Sequence, residues 1–231
     1  MFTENFNPIF FFPALLVLML SIGFHEYAHA KVADLCGDPT PAFYGRVTLN
    51  PLNHIDPMGS IMMVFTLLAG FGLGWGKAVP INPSKMRNPR WDALWTTLAG
   101  PICNLLQATI YAIILRGLLM GGLFSQQIMD NESSFRATNI IGVFLVMGIS
   151  INVLLCLFNL LPLGPLDGHW IVGAFMPDKM RHYWYKFSRS YGTIIFIAIV
   201  LIGQKNPQYD LVGWVMRTIG SPIIAFLLGI Q

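Results

Sequence analysis

Residues 5–29 read NFNPIFFFPALLVLMLSIGFHEYAH. Twenty residues without a single Asp, Glu, Lys or Arg run into His25-Glu26-Tyr27-Ala28-His29. An apolar run of about 20 residues is long enough to cross a bilayer as a helix. On such a helix positions i and i+4 share a face, so His25 and His29 can hold one metal ion between them. Zinc suits two neutral imidazoles plus an oxygen ligand, and Glu26 stands where it can take a proton from water at that ion. With five His and three Glu in 231 residues, the HExxH pattern would arise by chance roughly once in 700 such chains. Ionisable groups directly after such a run lie in or near the bilayer, where charge is costly and usually functional.

The rest of the chain agrees with a membrane setting. Of 231 residues 55% are hydrophobic and only 11% charged, with mean hydropathy +0.60. A soluble domain carries about 25% charged residues, so the composition excludes most soluble readings, and it is equally far from disorder. The formal net charge of +3 is too small to argue for nucleic acid. Cys36, Cys103 and Cys156 are scattered, with neither CxxC spacing nor a disulfide framework. Further stretches free of Asp, Glu, Lys and Arg are 57–76, 93–115, 137–166 and 190–204, followed by 211–230, which only Arg217 interrupts. The last two are expected to pair as a hairpin around Asn206-Pro207. The predicted fold is an all-α polytopic membrane protein, with a core over 1–175 and a C-terminal transmembrane hairpin over 176–231.

A catalytic zinc has three protein ligands and an open position. Few acids lie within apolar runs, and Asp167 stands out. It ends the stretch Asn159-Leu-Leu-Pro-Leu-Gly-Pro-Leu-Asp167-Gly168, where Pro162 and Pro165 prevent a regular helix and Gly168 permits an unusual turn. Broken backbone at membrane depth is tolerated only inside protein or a wet cavity.

HExxH in an apolar helix, followed more than a hundred residues later by NxxPxxxLDG, resembles the site-2 protease family of intramembrane zinc metalloproteases. The stretches GRVTLNPLNHIDPMG (45–59), GWGKAVPINPSKMRNPR (74–90) and AGPICN (99–104) are similar to its compact prokaryotic members without PDZ or CBS domains. The resemblance implies that His25, His29 and Asp167 bind Zn2+ and that Glu26 is the general base, then proton donor to the leaving amine. It implies that Asn159 touches the substrate backbone or the developing oxyanion. For Asn104 two readings stand, a contact at the cleft and an interhelical hydrogen bond. For His54 they are a place near the cleft and a loop imidazole bonded to backbone. Asp56 reads as a turn or helix-start residue. The implied substrates are transmembrane helices of other membrane proteins, cleaved in or near the bilayer in regulated intramembrane proteolysis.

Geometry then constrains topology. His25 and His29 end the first helix, and Asp167 follows the run 137–166. To meet at one ion these helices must run parallel, which requires an odd number of crossings between them. Run 93–115 is one. Run 57–76 is therefore expected to be re-entrant or interfacial. On that reading Lys31, Arg46, Lys77, Lys85, Arg87, Arg90, Lys179, Arg181, Lys186 and Arg189 share one side, and Arg116, Arg136 and Lys205 lie toward the other. The positive-inside rule makes the first side cytoplasmic, with the active site facing it in the cell membrane. Two other classes compete, a membrane metal transporter using the same ligands and a catalytically dead binding module. Glu26 separates them, because only proteolysis requires it.

Overall fold

The computed structural model describes residues 7–69, 74–122 and 137–230. The cation Arg136 of the sequence reading and part of run 57–76, residues 70–73, lie outside the described residues. The fold is built from helices: α1 (Pro8–Leu35), α2 (Pro57–Ala69), α3 (Trp91–Met120), α4 (Ala137–Asn159), α5 (Gly168–Phe175), α6 (Asp178–Lys205) and α7 (Leu211–Leu228). No strand is present among the described residues. Five of these helices, α1, α3, α4, α6 and α7, are long and apolar enough to cross a membrane.

The first of them starts sharply. Asn7 accepts the Ile9 N–H through its side chain, and Pro8 opens the helix with the φ that a first turn needs. At 28 residues, α1 is about 42 Å long, so it clears the hydrocarbon layer and carries the HExxH motif on its second half. α1, α3 and α4 form the core, and their directions follow from their contacts. Ser21 meets Asn104 and Gln107, whereas His29 meets Thr96, so α1 and α3 are antiparallel. Asn104 meets Asn152, while Tyr111 packs edge-on against Phe144, so α3 and α4 are antiparallel too. α1 and α4 therefore run parallel, and the loop after α4 emerges beside the two histidines.

That arrangement requires residues 57–76 not to cross, and the described residues at the two ends of this run lie side by side. With 13 residues, α2 reaches about 20 Å, short of the ~30 Å hydrocarbon core. Asp56 caps its start, accepting the Gly59 N–H at 2.8 Å. The chain then comes back to where it began. Ile55 and Gly76 form an antiparallel bridge, and the Lys77 N–H donates to the His54 carbonyl at 2.8 Å. Gly59 has no room for a side chain, because a Cβ there would sit 2.0 Å from the Trp75 carbonyl oxygen. The buried Arg46 guanidinium staples both limbs of this loop through the carbonyls of Asn53 and Lys77. Asp38 ties the same region to the end of α1, accepting the N–H groups of Thr40 and Asn82. Burial pushes the Asp38 carboxyl up, but the hydrogen bonds from Thr40 and Asn82 outweigh it and hold the group below its ordinary range.

The C-terminal pair differs from its sequence reading at one boundary. The stretch 177–189 is too polar to read as part of a span, yet α6 begins at Asp178 and continues through a π-helical turn at Ser188–Gly192. Its first turns are amphipathic, with exposed cations and aromatics, as suits the level of lipid headgroups. The connection around Asn206 is where the Asn-Pro pair places it, and Asp210 caps α7 by accepting the Gly213 N–H. At the far end of α7 from that connection Arg116 of α3 donates to the Phe226 and Leu227 carbonyls, so Lys205 lies at the opposite end from Arg116 and not on its side as the sequence reading placed it.

Two outcomes are expected. In a variant lacking native cysteines, Phe43→Cys and Ser84→Cys, at exposed positions on either side of run 57–76, will react with an impermeant maleimide from one side of the membrane, and Met120→Cys from the other; labelling of the Phe43 and Ser84 positions from opposite sides would refute the re-entrant path. Arg46→Ala removes both loop staples and leaves carbonyls unpaired, at a cost of about 1–3 kcal/mol. It should lower the midpoint of thermal unfolding in detergent by several degrees, at ~2–4 °C per kcal/mol for a chain of this size.

Candidate metal centre

His25 and His29 lie one turn apart on α1, both buried, with their rings edge to face at 4.6 Å between centroids. The ring orientations are fixed from behind. The His25 Nδ1 lies 2.6 Å from Asn104 Oδ1, and the His29 Nδ1 lies 2.7 Å from the Thr96 carbonyl oxygen. A carbonyl oxygen only accepts, so the His29 Nδ1 carries hydrogen. The Asn104 amide nitrogen donates to the Ser21 carbonyl and to Asn152 Oδ1, so its Oδ1 likewise faces His25 as an acceptor. In the neutral state both rings therefore turn an Nε2 lone pair inward.

Those two Nε2 atoms are 3.0 Å apart, and Asp167 Oδ2 lies 3.3 Å from each. With both rings neutral, three electron-rich atoms face one another. Asp167 Oδ2 is buried and has no hydrogen-bond partner among the described residues. A single proton could relieve one of these contacts; a cation between them relieves all three. The spacing also fits an ion. Ligands at about 2.0–2.1 Å in a tetrahedron stand roughly 3.3 Å from one another. Two imidazole nitrogens and one carboxylate oxygen are the donor set that zinc takes in hydrolytic sites.

Space for the rings comes from Gly100 on α3. A Cβ there would lie 2.4 Å from His29 Nε2 and 2.6 Å from His25 Cε1, so any other residue would press into the ligand atoms. Asp167 arrives through the broken segment after α4. Gly168 serves there in a way its sequence context does not suggest. Its φ is not positive; instead it lets the chain pass the Leu160 and Leu161 carbonyls, which a Cβ would approach to 2.4 and 2.1 Å.

Glu26 projects beside the pair. Its Oε2 accepts the Val79 N–H at 3.1 Å, from the extended segment that leaves the re-entrant loop. Gly76 of that segment is so close that a Cβ on it would lie 3.5 Å from Glu26 Cγ. The loop thus reaches the HExxH helix at its acid.

The remaining residues singled out from sequence separate clearly. Asn104 is fully buried and committed on both faces of its amide, to His25, Ser21 and Asn152. The interhelical hydrogen bond, one of its two readings, is what the structure shows: both amide hydrogens are taken and the oxygen faces His25. His54 is buried in the loop before α2 with Nε2 on the Thr48 carbonyl at 3.0 Å, outside the cluster of ligand atoms. Asn159, the last residue of α4, donates one amide hydrogen to the Leu155 carbonyl of its own helix. Sequence reasoning missed Ser21, Asn152 and Gly100. Asn152 donates to Ser21 Oγ at 2.8 Å and to the Gly148 carbonyl at 2.9 Å, closing a polar network across α1, α3 and α4. Polar side chains inside otherwise apolar runs were the available signal for Ser21 and Asn152.

Comparison with known proteins gives the same direction. The sequence pattern of Peptidase family M50 matches residues 13–203. "Putative zinc metalloprotease YwhC" of Bacillus subtilis (strain 168) is 35% identical over 220 residues, covering 95% of this chain and 92% of the relative. "Putative zinc metalloprotease Rip2" of Mycolicibacterium smegmatis is 27% identical over 199 residues, covering 85% and 70%. Its namesake in Mycobacterium tuberculosis (strain Erdman) is 31% identical over 190 residues, covering 80% and 66%. No solved structure gives a significant match. With the family pattern covering most of its length and starting ahead of the two histidines, the chain belongs to Peptidase family M50.

Proposed function

We propose that this metalloprotease is an intramembrane zinc endopeptidase, with His25, His29 and Asp167 as metal ligands and Glu26 as general base. One observation carries the assignment: the inward-facing Nε2 atoms of two imidazoles, 3.0 Å apart, each meet a buried, unpartnered carboxylate oxygen at 3.3 Å. When bound, zinc supplies Lewis acidity to water and to the scissile carbonyl.

The chain's own residues account for the rest. Asn104 and the Thr96 carbonyl hold the two imidazoles in the tautomer that presents Nε2. Glu26 accepts the proton of the attacking water at its carboxylate and later delivers it to the leaving amine nitrogen. The Val79 N–H fixes one Glu26 oxygen and so the plane of the carboxylate. Asn159 has a second amide hydrogen, besides the one held by Leu155, to offer a substrate carbonyl. The substrates are transmembrane segments of membrane proteins, locally unwound because a helix keeps its carbonyls in internal bonds. The biological setting is regulated intramembrane proteolysis at the cytoplasmic side of the cell membrane, the side that carries most of the Lys and Arg.

Purified wild type should contain about one zinc, and Glu26→Gln should keep it while cleavage of single-span test helices falls by ~10²–10⁴. Zinc in both proteins with cleavage by neither would overturn proteolysis in favour of transport or binding. Gly100→Ala puts a methyl group against His29 Nε2 and the His25 ring carbon Cε1; it should purify folded but with bound zinc reduced in elemental analysis. Full occupancy in that variant would refute the assigned ligand positions.

A further inference from the structure

At one end of the bundle, α3, α5 and the start of α6 enclose a small cavity of about 70 Å³. Its walls include Arg90, Ala93, Trp170, Arg181 and Tyr185. It is lined by different residues from the metal centre and takes no part in the chemistry above. A liquid water occupies about 30 Å³, so the cavity has room for a group the size of a phosphate.

Its charge is unbalanced. Arg90 donates from Nε to the Ala174 carbonyl at 2.7 Å and from Nη2 to the Met176 carbonyl at 3.3 Å. Arg181 reaches the same Met176 carbonyl through Nη2 at 3.5 Å. Two guanidinium groups thus converge on one neutral acceptor. One carboxylate, that of Asp178, pairs with Arg181. The Arg181 Nε–H is buried and has no hydrogen-bond partner among the described residues. A buried guanidinium donor without a partner is costly, and an incoming anion satisfies it.

The surroundings point to the source of that anion. Trp91, Trp95, Trp170, Phe175 and Tyr183 are all exposed on the elements that form this end. Arg90 also lies over the Trp91 ring, 5.0 Å from its centroid. Exposed aromatics beside cations mark the headgroup level of a membrane protein, and basic pockets between helices at that level take lipid phosphates.

We propose that Arg90 and Arg181 form a binding site for the phosphate of an anionic membrane lipid. Arg181 gives its Nε–H to a phosphate oxygen, Arg90 supplies the second positive charge, and the aromatic walls flank the headgroup. The site depends on the membrane setting alone and not on the proteolytic assignment.

The test uses the full chain in detergent, titrated with short-chain phosphatidylglycerol, short-chain phosphatidylcholine or inorganic phosphate, with binding read by thermophoresis. Phosphatidylglycerol should bind saturably and about five- to tenfold more tightly than phosphatidylcholine, the preference expected from one or two basic groups near a lipid anion. Arg181→Gln should remove that preference. Ala93→Leu fills the cavity and keeps both arginines, so it should weaken phosphatidylglycerol equally, and it decides the matter if Arg181→Gln does not fold. Arg189→Gln, on the exposed side of α6, should leave binding unchanged. Displacement of the lipid by phosphate would assign the site to the phosphate group from either source; lipid binding that phosphate does not displace, but that both variants weaken, would assign it to the lipid. Equal binding of the two lipids, or a preference untouched by Arg181→Gln and Ala93→Leu, would overturn the proposal.

Discussion

Two imidazole lone pairs and a carboxylate oxygen do not come within 3.3 Å of each other without a reason. Their mutual repulsion is the constraint around which the molecule is arranged. It demands neutral rings of one tautomer, and so acceptors behind each Nδ1. It demands that a loop more than 130 residues downstream end at the same depth as the middle of α1. It demands a wall thin enough for two rings to lie against. Asn104, Thr96, the path of the re-entrant loop and Gly100 each answer one of these requirements.

In water such an arrangement could draw on solvent for any unmet hydrogen bond. Within a bilayer the protein has to supply every partner itself. The network of Ser21, Asn104 and Asn152 shows how. Asn152 donates twice, to Ser21 Oγ and the Gly148 carbonyl, and accepts from Asn104, whose oxygen is then left for His25. A reversed Asn104 amide would set its NH2 against the Nδ1–H of His25, so the network fixes which way the amide points. Interhelical hydrogen bonds of this kind are individually modest in membranes. Their value here lies in orientation more than in stability.

The meeting of His25, His29 and Asp167 and the order of the helices were legible because bilayer chemistry makes them conspicuous. Histidines and an acid following twenty apolar residues stand out, and parity of crossings ties Asp167 to them without any coordinates. What stayed hidden depends on distances between helices. Asn104 reads equally well as a cleft residue, and only its three partners show that it faces inward to His25. Gly168 reads as a turn residue, yet it is there for clearance past two carbonyls. The start of α6 was obscured because amphipathic turns at the headgroup level carry as many charges as a loop. Arg46 reads as one cation among many, while in the fold it is a buried clamp.

Gly100 gives the centre a wall made of bare backbone. A backbone face has no rotamers, so the gap beside the rings does not fluctuate as side chains hop or repack. It also separates the two surfaces of α3 in evolutionary freedom. The outward positions Ile102, Leu105 and Leu106 lie open to lipid and can follow the acyl chains of whichever membrane hosts the protein. Drift on that surface leaves the dimensions of the inner chamber untouched, so one catalytic geometry can be carried between bilayers of different composition.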